Sequence, residues 1–306
     1  MIGRPQKVYV DTNHLVNLVR LRHAVSLGTA EKYRSAYETL DKAISGGALG
    51  LIFNLCGPLE WVDDRATVES AREIAAVVES SPLVYLLEED RFVFLHELLG
   101  EIARLDPTLK LPHLPLLPVL SRSGPVQTAH DVLGRTVPGF VPGYDSTTAG
   151  TTHDYAEQAM SFRQRQPDEY AERVKGYRDA LTHDFRAELH KSSPRVLFID
   201  WCKRFLKLDL ILSHLCPGCD VDKLLKCIDV RRCPGTLLFI KGRTYLVNEK
   251  KAPEDNDVDD WVFVPIVPYA DIVLTERRMR HILVQIDRTL ASKVFSSPDE
   301  AVGRLR

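Results

Sequence analysis

Two short strand-like runs, one near each end of the chain, both end on a carboxylate. Val8-Tyr-Val10 leads into Asp11-Thr-Asn13, and Asp271 to Thr275 leads into Glu276. β-Branched and aromatic runs of this kind read as strands feeding helices. Between them, Leu49 to Leu55 and Leu83 to Leu87 have the same character. The intervening segments carry apolar residues at 3-to-4 spacing: Leu15, Val16, Val19 and Val25; then Tyr33, Tyr37, Leu40 and Ile44, stopped by Ser45-Gly-Gly47. Gly57-Pro58 opens a helix expected to reach Glu79, Arg91 to Leu105 reads as another, and Arg277 to Ala291 as an amphipathic one. Strands alternating with helices at both ends predict an α/β sandwich with a mainly parallel sheet.

The middle has a different texture. From Asp106, seven prolines (107, 112, 115, 118, 125, 138 and 142) fall in one stretch with five glycines, which predicts an irregular segment outside the sheet. Polar helices are expected from about His153 to Leu189, and one apolar helix from Pro194 to about Leu215. Asp255-Asn-Asp257 is expected to cap a helix through Ile266. The organisation expected is residues 1–105 as the first part of the α/β domain, 106–195 as an irregular and helical insertion, and 196–306 as its second part with a Cys-rich segment.

Several function classes fall away on composition. Forty basic and forty-two acidic residues in 306 give a net charge of −2, so bulk electrostatic coating of nucleic acid is excluded and any such ligand needs local patches. The most apolar stretch, Val262 to Leu274, is broken by Pro265, Pro268 and Asp271, short of the roughly 20 residues a bilayer span needs. No signal-peptide pattern opens the chain, and a cytoplasmic protein without a membrane partner is expected. Six cysteines are too sparse for a disulfide scaffold.

Carboxylates recur where strands end and helices begin: Asp11, Glu60, Asp257, Asp260 and Glu276. In an open parallel sheet the carboxyl ends of the strands share one edge, where ligands bind, so acids remote in sequence can converge there. Clustered carboxylates repel unless a hard divalent cation, Mg²⁺ or Mn²⁺, lies between them. Such an assembly suits water activation and in-line displacement at phosphorus. Each acid also has a plainer reading. Asp11 is a favoured helix N-cap, Glu60 suits a first helical turn, Asp257 with Asp260 forms an Asp-x-x-Asp cap, and Glu276 suits an exposed surface.

The ordered set of Asp11-Thr-Asn13, Glu60, Asn256-Asp-Val-Asp-Asp260 and Pro268-Tyr-Ala-Asp-Ile-Val-Leu-Thr275-Glu276 resembles the PIN domain, over residues 1–79 and 252–291. The resemblance implies a three-layer α/β/α sandwich and a metal-dependent endoribonuclease with RNA as substrate. Bacterial toxin–antitoxin nucleases belong to that family, so a protein inhibitor is an implied partner. Carried over, Asp11 is the first metal ligand, Glu60 the second acid, and Asp260 the third, with Asp257 the other candidate ligand. Thr275 would orient the acids or water through its hydroxyl. The family places a fourth acid two residues after that threonine, where this chain has Arg277. Glu276 substitutes for it, or the site lacks it and the fold is a binding or scaffold module. Asp271 matches a position remote from the metal edge and reads as structural.

Basic pairs at Lys250-Lys251 and Arg277-Arg278 flank the acidic set in sequence and are candidate contacts for the RNA backbone. Tyr245, Trp261 and Tyr269 are stacking candidates or core residues. Cys216-Pro-Gly-Cys219 has the spacing of half a structural Zn²⁺ site, which Cys227 and Cys233 would complete; buried free thiols are the alternative.

Overall fold

The computed structural model describes residues 4–54, 68–87, 90–120, 127–138, 198–199, 202–203, 206–248 and 261–305. Strand β1 (Gln6–Val10) is followed by helix α1 (Thr12–Arg22), a 3-10 turn (Gly28–Tyr33) and α2 (Arg34–Ser45). Next come β2 (Leu49–Asn54), α3 (Val68–Glu79), β3 (Val84–Leu87) and α4 (Asp90–Leu105). After β4 (Val119–Leu120) lie α5 (Ala129–Thr136), α6 (Leu208–Leu215), α7 (Val221–Cys227) and α8 (Pro234–Asn248). The last segment holds a 3-10 helix (Trp261–Tyr269), β5 (Ile272–Leu274), α9 (Arg277–Ile286), β6 (Val294–Phe295) and α10 (Pro298–Val302).

The strands form one sheet in the order β4-β3-β2-β1-β5-β6. All pairings are parallel except that of β4 with β3. The period-2 alternation of the strands divides the apolar residues between two faces. Val8, Val10, Leu51, Phe53, Ile272 and Leu274 pack with α1, α2, α3 and α10. Tyr9, Ile52, Tyr85, Leu87 and Val273 pack with α4, α5, α6, α8, α9 and the 3-10 helix at residues 261–269. Tyr9 stacks on Phe263 at 4.5 Å between ring centroids. The molecule is therefore a three-layer α/β/α sandwich, with both sheet faces covered as a parallel sheet requires.

The chain passes outward from β1 through β2 to β3, then returns to the other side of β1 as β5. Helix α1 covers one face and α9 the other. The carboxyl ends of β1 and β5 thus bound the topological switch point, where an open α/β sheet leaves a crevice.

Four expectations need correction. The proline-rich stretch is not outside the sheet: Val119–Leu120 adds to β3, with Leu86 N donating to Pro118 O at 2.8 Å. A proline flank is tolerated there because the strand lies at the edge. Within the same stretch, α5 is nucleated by a capping box between Thr128 and Asp131. The helix expected from Pro194 to Leu215 does not run through, since Lys207 adopts a left-handed conformation (φ 50°) and α6 begins after it. Residues 261–269 form a 3-10 helix because Pro265 and Pro268 remove backbone donors. Finally, α9 ends at Ile286, where extended Asp287 starts a new 3-10 turn by accepting from Thr289 N at 3.0 Å.

Helix α8, strand β6 and helix α10 were not anticipated. The helices expected over 153–189 and the capping residues 255–257 lie outside the described residues.

Candidate functional site

Asp11 follows β1 and stands at the N-cap position of α1; Glu276 follows β5 and stands at the N-cap of α9. Their backbones are nearly identical, at φ −62°, ψ 151° and φ −64°, ψ 154°. Neither side chain makes a capping hydrogen bond. The plain N-cap role open to Asp11 in the sequence is thus occupied by its backbone alone.

The strand pairing brings the two ends together. Asp11 N donates to Leu274 O at 2.9 Å, and the Thr275 hydroxyl donates to Asp11 Oδ2 at 3.1 Å. Thr275 is fully buried and Asp11 is 6% exposed. Burial raises the Asp11 pKa. The Thr275 hydroxyl and the nearby backbone of Glu276, Thr12 and Asn13 oppose that rise without cancelling it. Among the described residues no lysine or arginine pairs with Asp11. Glu276 is exposed, and its Oε1 accepts from Asn13 Nδ2. Asn54, the last residue of β2, is buried at the same edge.

The sequence reading missed the residues behind Asp11. His14 Nδ1 lies 2.7 Å from the Tyr37 hydroxyl, which also accepts from Asn17 Nδ2 at 3.0 Å. Burial lowers the His14 pKa, while the backbone of Thr275 and the charge of Glu276 raise it. A polar residue at His14 and Asn17, three apart on α1, was the available signal.

The remaining candidates divide clearly. Glu60, Asp257, Asp260, Lys250 and Lys251 lie outside the described residues. Arg277 and Arg278 are exposed on the first turn of α9. Asp271 sits at the opposite end of β5, where its Oδ2 accepts from Lys7 N at 2.7 Å; its structural reading holds. Trp261 is buried in the core, edge-on to Phe239, so it is not available for stacking. The Tyr269 hydroxyl is taken by Glu97. Cys216 and Cys233 are buried, Cys219 is half-buried and Cys227 exposed. Among the described residues, no three His, Cys, Asp or Glu side chains are grouped to share a metal ion. The four cysteines are among the described residues, and no three of them form such a group.

No helix among the described residues is long and apolar enough to cross a membrane. Compared with family models, curated proteins and solved structures, the chain matches none.

Proposed function

We propose that the chain is a PIN-like, Mg²⁺- or Mn²⁺-dependent endoribonuclease with Asp11 at the centre of its site. One observation carries this reading: a buried carboxylate at the switch point, held by a threonine hydroxyl from the neighbouring strand and balanced by no cation side chain among the described residues. A carboxylate buried without a counter-charge is costly to the fold. Among the described residues, Asp11 and Glu276 offer carboxylate oxygens, which suit a hard divalent ion. Glu60, Asp260 and Asp257 are the acids that would complete the set.

A carboxylate-held divalent ion would supply an activated water and charge neutralisation at phosphorus. The protein's own groups do the rest. Thr275 fixes the orientation of the Asp11 carboxylate. Asn13, at the start of α1, holds Glu276, at the N-cap of α9. Arg277 and Arg278 add positive charge to a helix N-terminus that is already partially positive. Positive charge there is not favoured by the helix dipole and suits a phosphodiester backbone.

The test is cleavage of single-stranded RNA by the full chain in Mn²⁺ or Mg²⁺, with and without chelator, beside Asp11→Asn. Cleavage lost in chelator and in the variant is expected. Equal residual cleavage by both proteins sinks the assignment.

A binding or scaffold module is the second reading. It is favoured by Arg277, which stands where the family has its fourth acid, while the Glu276 carboxylate is engaged by Asn13. Absence of acid-dependent Mn²⁺ binding by the wild type would select it.

A further inference from the structure

We infer that Asn54 is a further ligand of this site: its carboxamide, level with Asp11 on the neighbouring strand, gives the divalent cation a neutral oxygen. The inference rests on the reading of Asp11 as a cation-binding carboxylate and adds a residue to it. Strand register carries it. Tyr9 pairs with Ile52 on one side and Val273 on the other, and Ile52 pairs with Tyr85. All four side chains lie in the core on the α4 and α8 side of the sheet. Side chains two residues further along each strand point the same way. That step leads from Tyr85 to Leu87, from Ile52 to Asn54, from Tyr9 to Asp11 and from Val273 to Thr275. Asn54 pairs with Leu87, Asp11 N donates to Leu274 O, and the Thr275 hydroxyl donates to Asp11 Oδ2, so the register persists to this level. An apolar row is thus followed, one step nearer the carboxyl edge, by Leu87, Asn54, Asp11 and Thr275.

The three polar members of that row are buried, Asn54 and Asp11 at 6% exposure and Thr275 at 0%. Leu87, on the β3 side of Asn54, is apolar and buried; the neighbour on the β1 side is the Asp11 carboxylate. Asparagine is disfavoured in strands, and a buried carboxamide needs partners for both its oxygen and its NH₂ group. An aliphatic side chain would fill the position without that need. Neighbouring strands lie about 4.8 Å apart, so oxygens from two level side chains can reach one ion at about 2.1 Å from each. Hard cations accept carboxamide oxygens beside carboxylates. With Asp11 and Glu276 already two negative charges, a neutral oxygen extends the donor set without adding repulsion to the metal-free fold.

The experiment titrates Mn²⁺ into the full-length wild type, Asn54→Ala, Asn54→Asp and Asp11→Asn. Free Mn²⁺ is read by electron paramagnetic resonance, and Tm is read with and without the ion. Asn54→Ala should weaken the Asp11-dependent site about tenfold or more, at least the effect of losing an outer-shell partner. Asn54→Asp should bind Mn²⁺ about tenfold more tightly than the wild type, because the added charge faces the ion. Without metal it should melt below the wild type, with a second carboxylate beside Asp11, and Mn²⁺ should raise its Tm by more. In the wild type itself, substoichiometric Mn²⁺ should broaden the Asn54 side-chain amide resonances, a readout that needs no variant to fold. A residue that serves only the turn after β2 gives another pattern: both variants lose stability and neither changes Mn²⁺ affinity. That pattern, or an Asn54 amide that Mn²⁺ leaves sharp, overturns the inference. RNA cleavage measured in parallel separates the two readings. Asp11-dependent Mn²⁺ binding that the Asn54 variants alter, without cleavage, keeps the ligand and fails the nuclease; cleavage with Mn²⁺ binding indifferent to Asn54 does the reverse. A wild type that binds no Mn²⁺ overturns both.

Discussion

The Thr275 hydroxyl donates to the Asp11 carboxylate at 3.1 Å across two strands whose residues are 264 positions apart. That bond joins the ends of β1 and β5 at the point where the sheet changes direction. It also gives a buried acid its one side-chain hydrogen bond among the described residues. On the proposed function, Asp11 is therefore a place where stability and activity pull in opposite directions.

Replacing that acid makes the conflict measurable. Burial raises the Asp11 pKa, so the folded chain keeps this proton to a higher pH than the unfolded chain does. Stability from this group is greatest below the unfolded value of 3.8 and declines as pH rises through the folded pKa. Asp11→Asn should remove that decline and raise Tm near neutral pH by about 2 °C, the shift that roughly 1 kcal/mol produces in a chain of this size. It should abolish RNA cleavage at the same time. Scanning calorimetry between pH 4 and pH 8 checks the first expectation, and a lower Tm at neutral pH contradicts it.

Mn²⁺ should reverse the order. A cation that binds only the folded wild type raises its apparent stability by mass action. Added Mn²⁺ should lift the wild-type Tm and leave Asp11→Asn where it was. A matched rise in both proteins would place the ion elsewhere.

Arg277→Ala and Arg278→Ala test the proposed contact with the RNA backbone. Each phosphate contact to a single strand contributes about 0.7 to the slope of log affinity against log salt. Each substitution should flatten that slope by about this amount and weaken RNAs of different sequence equally. Filter binding to an uncleavable RNA at several salt concentrations reads both.

Glu97 tests the opposite side of the sandwich. Its buried carboxylate accepts from Gly235 N at 2.6 Å, Thr236 N at 2.8 Å and Thr236 Oγ1 at 2.6 Å, and from the Tyr269 hydroxyl. It therefore ties α4 to the start of α8 and to the 3-10 helix before β5. Glu97→Gln sets an amide donor against those donors and should cost about 2–4 kcal/mol. Chemical denaturation gives the value; a cost under about 0.5 kcal/mol would show that the network contributes little.

Gly242 in α8 marks a contact where no side chain fits. A Cβ there would lie 2.3 Å from the Trp261 ring, which is itself packed in the core. Gly242→Ala improves helix propensity, yet the overpacking should dominate and destabilise by about 1–3 kcal/mol. Gly242→Ala with Trp261→Phe should recover part of the loss in the same denaturation assay.

The sequence by itself determined the elements whose signal is local. Val8, Tyr9 and Val10 alternate, and that alternation sends Tyr9 to one core and its neighbours to the other. Tyr37, Leu40 and Ile44 repeat at helical spacing, which fixes the buried side of α2. The carboxylates after strands and the parallel α/β class were legible for the same reason, since strand polarity puts all those ends on one edge. Tertiary structure decided which of them meet. A two-residue edge strand at Val119–Leu120 is too short to show a period, and its pairing with β3 comes from the partner strand. The prolines at 265 and 268 forced a 3-10 helix where apolar content suggested an α-helix. The bond from Thr275 to Asp11 has no signature in the order of residues. It exists because the return of β5 beside β1 puts a hydroxyl and an acid from distant segments within hydrogen-bonding reach.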